Sequence, residues 1–469
     1  MNNKPKVCLV LEGSYPFITG GVSAWTHDLI INLPEIDFLL FTISPEEDMP
    51  LRYELPENVI EHKDIVLSKR YKSTAKPTSR KKLMKAIKLL HETFKKGEEY
   101  NFRSLIELVP EGYFMYKEAV TEDIGWDLIV NANQQHNPSY AFTDYYWAWK
   151  SAHDMLFTIL GSSLPDADMY HAISTGFAGI AATAAKIRKN KPLILTEHGL
   201  YHKERDMEIR KSSMIRGYQR DMWIRLYNSF SRICYNESDL IISLFEENRR
   251  KQHELGANPK KTKVIPNGID LPRFSIPRKE KEGFHVGLVG RVVPIKDIKT
   301  YILTAKIVLE KIPEAIFYCI GPTDEDPGYY SECQKLTESL RITDRFIFTG
   351  RQNVTDYYCF LNALVLTSVR EAQPLVILEG YCAEVPAVAT SVGNIPEMLD
   401  YDERFLAPSR DAKKLAECIQ YIHDNPKEIK QINKNNKTKA INYYNKTDLH
   451  KRYHDIYTKY SGKTNEGED

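Results

Sequence analysis

The chain has 469 residues, with 64 Lys and Arg against 63 Asp and Glu and 42% hydrophobic residues. A formal charge of +1 suggests neither a general nucleic-acid binder nor an acidic solvating tail, and the apolar share excludes a chain disordered by default. The balance is uneven, because Ser68 to Lys96 carries eleven Lys or Arg against one acid, Glu92, a local +10 that leaves −9 on the remainder.

At roughly 100 to 200 residues per domain, the length predicts two or three domains. The opening MNNKPKVCLVLEGSYPF has an apolar run that breaks at Glu12 and Gly13, too short for a secretory leader, and reads as a first buried strand. Similar β-rich runs then alternate with helical patterns: FLLFTI, DLIVNAN, MYHAIS, LILTEHG, LIISLF and KVIPNGI, followed by HVGLVGR, AIFYCIG, RFIFTG, ALVLTS and PAVATS. Short apolar strands separated by helices predict parallel sheets covered on both faces, so the expected fold class is doubly wound α/β.

The rhythm breaks at VIPNGIDLPRFSIPRKEKEGF, whose prolines and charges read as a linker. The expected division is 1–272, with an insertion at about 45–125 that loses the strand-helix rhythm, then 273–438. Residues 439–469 are expected to form a C-terminal helix packing back on the first domain, with a frayed tail. No window approaches 18 consecutive apolar residues, so no transmembrane helix is expected. The seven cysteines are scattered and form no C-x-x-C pair, which argues against a disulfide framework or a zinc ribbon and fits a reducing cytoplasm.

Two such halves facing each other would bring the C-terminal ends of both sheets to one cleft, so chemistry is sought at strand ends. ALVLTS ends at Ser368 and runs on as Ser368-Val-Arg-Glu371-Ala-Gln-Pro374, where Pro374 suits the first turn of a helix. The amides of Leu375 and Val376, with the positive end of the helix dipole, form an anion site suited to phosphate. Glu371 precedes that helix and Glu379 lies within it, at most ~12 Å away for eight residues at ~1.5 Å rise. One carboxylate can face a sugar and the other a ribose; a solvated carboxylate pair is the simpler alternative.

Following the first strand of the second half, Gly287-Leu-Val-Gly290-Arg291 leads to Lys296, and Arg291 and Lys296 can present a guanidinium fork and a point charge to one diphosphate. Neither a dinucleotide fingerprint nor a Walker loop is present, and two surface cations on a loop are the alternative. In the first half, Gly20 and Gly21 follow the first strand and let the backbone approach a ligand closely, although a plain turn explains them equally well. His198 ends the strand LILTEHG, where it can bond a sugar hydroxyl or shield positive charge on a sugar ring, or be merely structural. Tyr201, His202, Lys203, Glu204 and Arg205 form a polar cluster suited to carbohydrate.

These elements, in this order, resemble the retaining nucleotide-sugar glycosyltransferases of glycosyltransferase family 4. The carriers are the E-x(7)-E pair Glu371 and Glu379, the pair Arg291 and Lys296, and PNGID at Pro266 to Asp270. LEGSYPFITGGVSAW, TEHGLYHKERDMEIR and the long insertion resemble the PelF-type enzymes of Pel exopolysaccharide synthesis in biofilms. Starch and glycogen synthases are less similar, because Thr19 stands where they carry a Lys.

The resemblance implies a GT-B fold, two Rossmann-like domains facing across a cleft, with the acceptor on the first and a UDP-sugar on the second. It implies hexosyl transfer with retention to a growing polysaccharide, without a metal or other cofactor. Arg291 and Lys296 would neutralise the departing diphosphate, aided by the amides of Leu375, Val376, Gly20 and Gly21. Glu379 would hold the ribose hydroxyls and Glu371 the donor sugar, with His198 approaching that sugar from the first domain. A UDP-sugar epimerase and a non-catalytic nucleotide-sugar-binding component of a synthase complex stay open. So does the sugar itself: glucose, N-acetylglucosamine or N-acetylgalactosamine.

Within the basic stretch, Leu83, Met84, Ile87, Leu90, His91 and Phe94 recur at helical spacing opposite a cationic face. Two readings are open: a core-packed helix with a solvated Lys face, or peripheral docking of residues 68–96 to an anionic membrane or an inner-membrane synthase complex.

Overall fold

The computed structural model describes residues 4–76, 79–85, 87–88, 102–116, 123–136, 141–212 and 217–462. It divides into two compact units, one running to Ile265 and taking in the chain from His450, the other spanning Pro266–Leu449.

Among the described residues, the sheet of the first unit contains β1 (Lys6–Glu12), β2 (Asp37–Ser44), β3 (Val59–Val66), β4 (Met169–Ala172), β5 (Leu193–Glu197), β6 (Leu240–Ser243) and β7 (Thr262–Val264). Its order is β3-β2-β1-β4-β5-β6-β7 and every pairing is parallel. Val7 to Leu11 of β1 are all buried, as expected of a strand with helices on both faces. Those helices include α1 (Gly21–Ile31), α2 (Phe177–Lys189) and α3 (Tyr201–Lys211). The small side chains Ala178, Ala181, Ala182 and Ala185 are all buried, so α2 can pack tightly in the core.

In the second unit, the strands are β8 (Phe284–Val289), β9 (Ala315–Ile320), β10 (Phe346–Gly350), β11 (Ala363–Leu366), β12 (Ala387–Thr390) and β13 (Leu406–Ala407). They run β10-β9-β8-β11-β12-β13, again all parallel. This unit's helices used below are α4 (Ile298–Leu309), α5 (Leu375–Cys382) and α6 (Pro426–Tyr443), while α7 (Lys446–Ser461) belongs to the first unit from His450 onward. Each sheet reverses its strand order once, between β1 and β4 and between β8 and β11, which opens a crevice beyond the strand ends at those two places.

The doubly wound α/β class is therefore as expected, with two local corrections. DLIVNAN is not a strand but part of a helix, Asp123–His136. Leu128, Ile129 and Ala132 are buried, and that i, i+1, i+4 spacing belongs to one helix face. Conversely, the insertion does supply a strand, β3, whose Glu61-His-Lys-Asp centre hides it because an edge strand need not be apolar throughout.

Residues 80–85 of the basic stretch are helical, and Leu83, Met84 and Ile87 are buried in the core of the first unit, with Lys81, Lys82 and Lys85 exposed. Leu90, His91, Phe94, Lys95 and Lys96 lie outside the described residues. No helix among the described residues is long and apolar enough to cross a membrane. On α7, Tyr457 bonds His171 Nδ1 at 2.7 Å, and Thr196 Oγ1 bridges His171 Nε2 (2.8 Å) and the Tyr453 hydroxyl (3.1 Å). Burial pulls the His171 imidazole down to about 3, so this core network is uncharged at neutral pH.

Candidate active site

In the second unit, two loops meet at the crevice between β8 and β11. The loop after β8 ends in a 3-10 turn, Pro294–Lys296, and Asp297 caps α4 from the left-handed region at φ +49°. Val369 N donates to the Ile295 carbonyl at 2.9 Å, and Thr367 Oγ1 donates to the Lys296 carbonyl at 2.7 Å. These bonds lock the loop after β11 to the loop after β8. Lys296 Nζ thereby reaches Glu371 Oε1 at 2.5 Å, with side-chain exposures of 22% and 14% that leave the pair only lightly screened. The same oxygen accepts from Ser368 Oγ at 2.6 Å. Gly393, at φ +58°, lies against the Glu371 carbonyl, where any side chain would collide, and Asn394 N donates to the Ala372 carbonyl at 2.9 Å.

Helix α5 starts at Leu375, with Pro374 in the cap position rather than the first turn. Its first-turn amides, those of Leu375 and Val376 included, have no partner within the helix and stand four residues after Glu371. Glu379, one turn further, is half-buried and accepts from the Tyr358 hydroxyl at 2.8 Å. Burial raises the Glu379 carboxyl above its ordinary range, and that hydrogen bond and the charge of Arg273 only partly offset the shift. Arg291 is held elsewhere: its guanidinium pairs with both oxygens of Glu325 at 2.6 and 2.8 Å, and both side chains are about half exposed. An exposed pair of that kind is worth ~0–1 kcal/mol, so Arg291 is easily re-engaged.

A cavity of about 320 Å³ in the first unit is lined by Gly20, Gly21, Glu12, Ser174, His198 and Arg205, among others. It occupies the crevice between β1 and β4, and it gathers the glycine pair and His198 as one site. Trp25 meets the His198 ring edge-on at 4.6 Å, and His198 Nε2 is buried without a hydrogen-bond partner. Burial pulls the imidazole down to about 4, so His198 is neutral at pH 7. At the end of β1, Glu12 accepts from the Tyr201 hydroxyl at 2.7 Å and from Ala178 N, in the first turn of α2, at 3.3 Å.

Of the polar cluster on α3, Tyr201, Glu204 and Arg205 line the cavity, as their i, i+3, i+4 spacing requires. His202 is buried instead, 3.4 Å from Ser231 Oγ, and burial pulls it down to about 4. Glu12, Ser368, Tyr358 and Gly393 were not singled out from the sequence. Gly393 did carry a signal, a glycine two residues beyond the strand run PAVATS, as did Glu12, at the break of the first strand run.

Two family models match the chain. One, described as a domain of unknown function (DUF3492), covers residues 5–260, and the other, glycosyl transferases group 1, covers residues 273–439. The chain is 23% identical over 322 residues to the UDP-Gal:alpha-D-GlcNAc-diphosphoundecaprenol alpha-1,3-galactosyltransferase of Escherichia coli, covering 64% of this chain and 77% of that enzyme. It is 26% identical over 212 residues to the N-acetyl-alpha-D-glucosaminyl L-malate synthase of Bacillus anthracis, covering 42% of this chain and about half, 54%, of that one.

Among solved structures, Anabaena Alr3699/HepE in complex with UDP and glucose aligns with a TM-score of 0.58 at 14% identity, over 97% of this chain and 100% of that one. The sucrose-phosphate synthase of Thermosynechococcus elongatus aligns with a TM-score of 0.57 at 17% identity, over 98% and 100%. At such identities the likeness shows the fold, a two-domain, Rossmann-like GT-B fold. More than half of the chain matches the first family model, and the β8-to-β13 unit with its Lys296–Glu371 site falls within the second, so the protein belongs to the DUF3492 family and carries a glycosyl transferases group 1 domain.

Proposed function

We propose that this protein transfers a sugar from a UDP-sugar to a growing exopolysaccharide of the Pel type, with retention and with no metal needed. The observation that carries the reading is the Lys296–Glu371 pair at 2.5 Å beside the first-turn amides of α5. A cation, a carboxylate and a helix N-terminus at one strand-order reversal match a phosphate joined to a sugar. The E. coli relative is named for UDP-Gal and the Anabaena structure holds UDP and glucose, which supports uridine as the nucleoside.

On donor binding, Lys296 exchanges Glu371 for the diphosphate, and Arg291 leaves Glu325 to join it. Glu371, released, accepts from hydroxyls of the donor sugar, and Glu379 accepts from the ribose. As the bond to the leaving phosphate breaks, the two cations and the α5 amides stabilise the charge that develops on it, and this stabilisation supplies most of the rate enhancement. Neutral His198 offers its unpaired Nε2 to a sugar hydroxyl. The departing phosphate oxygen takes the acceptor's proton on the same face, so configuration is retained.

Lys81, Lys82 and Lys85 supply a cationic surface for docking at the cytoplasmic face of an anionic membrane or a membrane-embedded synthase. Since Leu83, Met84 and Ile87 are committed to the core, that docking is electrostatic and not insertion of an apolar face.

The test is a panel of UDP- and GDP-sugars assayed for binding and hydrolysis, the UDP set including glucose, N-acetylglucosamine and N-acetylgalactosamine. At least one UDP-sugar should bind and turn over, and its sugar should stay unchanged when donor is incubated alone. Failure of every UDP-sugar would sink the proposal, and conversion of donor to an epimer without acceptor would replace it.

A further inference from the structure

The second unit has another cavity, at the opposite ends of its strands. Phe284 begins β8, and Asn362 and Pro386 immediately precede β11 and β12, so these lining residues stand at the N-terminal ends of the strands. Lys296 and Glu371 follow the C-terminal ends. The cavity has a volume of about 330 Å³, and α6 contributes Ile429, Lys430 and Asn433 to its lining.

Its lining specifies a ligand in three ways. The floor is apolar, since Phe284, Ile422 and Ile429 are buried, and it suits the body of a ring. Two cations, Arg278 and Lys430, line it, while the acid present, Glu384, accepts at Oε1 from Lys437 Nζ at 2.8 Å. Arg278 donates to the Tyr358 carbonyl at 2.6 Å and the Leu361 carbonyl at 2.5 Å, which commits only two of its five N–H groups to these bonds.

Third, Asn433 is 8% exposed and its Nδ2 donates to the Glu384 carbonyl at 2.9 Å. That bond sets the amide orientation and leaves Oδ1 buried with no partner. A buried acceptor left unpaired is destabilising in itself, and a donor hydroxyl on a ligand would pair it.

We propose that this cavity is a second ligand site, separate from the donor site, for a small phosphorylated sugar. Its phosphate is held by Lys430 and Arg278, and a ring hydroxyl donates to Asn433 Oδ1. The volume is at the small end of the ~300–1,000 Å³ typical of ligand pockets, which suits a monosaccharide and not a nucleotide-sugar.

The test is calorimetric titration of the full chain with glucose 6-phosphate, glucose and inorganic phosphate in saturating UDP. Glucose 6-phosphate should bind in the presence of UDP, and Lys430→Glu and Asn433→Leu should each weaken it at least tenfold while leaving UDP affinity unchanged. Lys430 is exposed, so its variant keeps the test valid even where Asn433→Leu fails to fold. No binding of glucose 6-phosphate, displacement of it by UDP, or unchanged affinity in Lys430→Glu would overturn the site. Equal affinity for inorganic phosphate would overturn the sugar.

Discussion

Lys296 and Glu371, 75 residues apart, share a hydrogen bond of 2.5 Å because the loops after β8 and β11 are joined at the place where the strand order reverses. The pair keeps two opposite charges at one site while each holds the other in place. Truncating either leaves its partner lightly screened and unpaired, which is costly in itself. Lys296→Ala and Glu371→Ala should each lower kcat/KM for the UDP-sugar by at least ~10²-fold, the scale of one lost transition-state contact. Near-normal steady-state transfer by purified Lys296→Ala would remove it from the diphosphate.

Glu379 has a carboxyl raised by burial, and the sign of its pH effects follows from that. Because its folded pKa exceeds its unfolded value, the stability it contributes is full below the unfolded pKa and is lost as pH rises through the folded one. Ribose binding has the opposite dependence, since the hydroxyls need the ionised acceptor. Glu379→Gln should therefore raise Tm at pH 8 while weakening UDP by roughly tenfold, ~1.4 kcal/mol. Calorimetry showing unchanged UDP affinity would end the ribose role.

For His198, burial to a pKa of about 4 means a neutral ring across the working range. Rate profiles from pH 6 to 8 should show no step that disappears in His198→Asn, whereas His198→Ala should lose activity through the missing sugar contact. A wild-type step near ~6.5, the ordinary histidine value, that His198→Asn abolishes would mean the cationic form is the working one.

Gly393 combines a left-handed φ of +58° with contact on the Glu371 carbonyl. A left-handed L-residue costs ~1–2 kcal/mol, so Gly393→Val should lower Tm by roughly 2–8 °C. Activity should fall further than stability, because the displaced backbone is that of Glu371. Thermal unfolding alongside turnover reads both, and unchanged turnover would show that Glu371 is positioned independently of this loop.

Charge reversal at Lys81, Lys82 and Lys85 should weaken binding to vesicles containing anionic lipid and leave transfer to a soluble acceptor intact. Wild-type binding should itself fall steeply with salt, because the neighbouring apolar residues are in the core. Salt-insensitive binding, unchanged by the reversal, would exclude this surface as the docking face.

Much of the fold was legible because its signals are local. A strand covered on both faces is apolar along most of its length, so β1, β8 and β11 announce themselves, and the residues just beyond such strands are where an α/β sheet binds ligands. Gly20, Gly21, His198, Lys296 and Glu371 were reached in that way. DLIVNAN misled because three adjacent apolar residues satisfy a strand and a helix alike, and β3 escaped because an edge strand tolerates charge.

The sequence by itself determined the element types, the doubly wound class and the chemistry available at each strand end, since these depend on neighbours a few residues apart. Only the tertiary structure decided which groups meet. Strand order, not spacing along the chain, sets Lys296 on Glu371 and Arg291 on Glu325, supplies Tyr358 to Glu379 from 21 residues away, and confines His198 where its charge is suppressed.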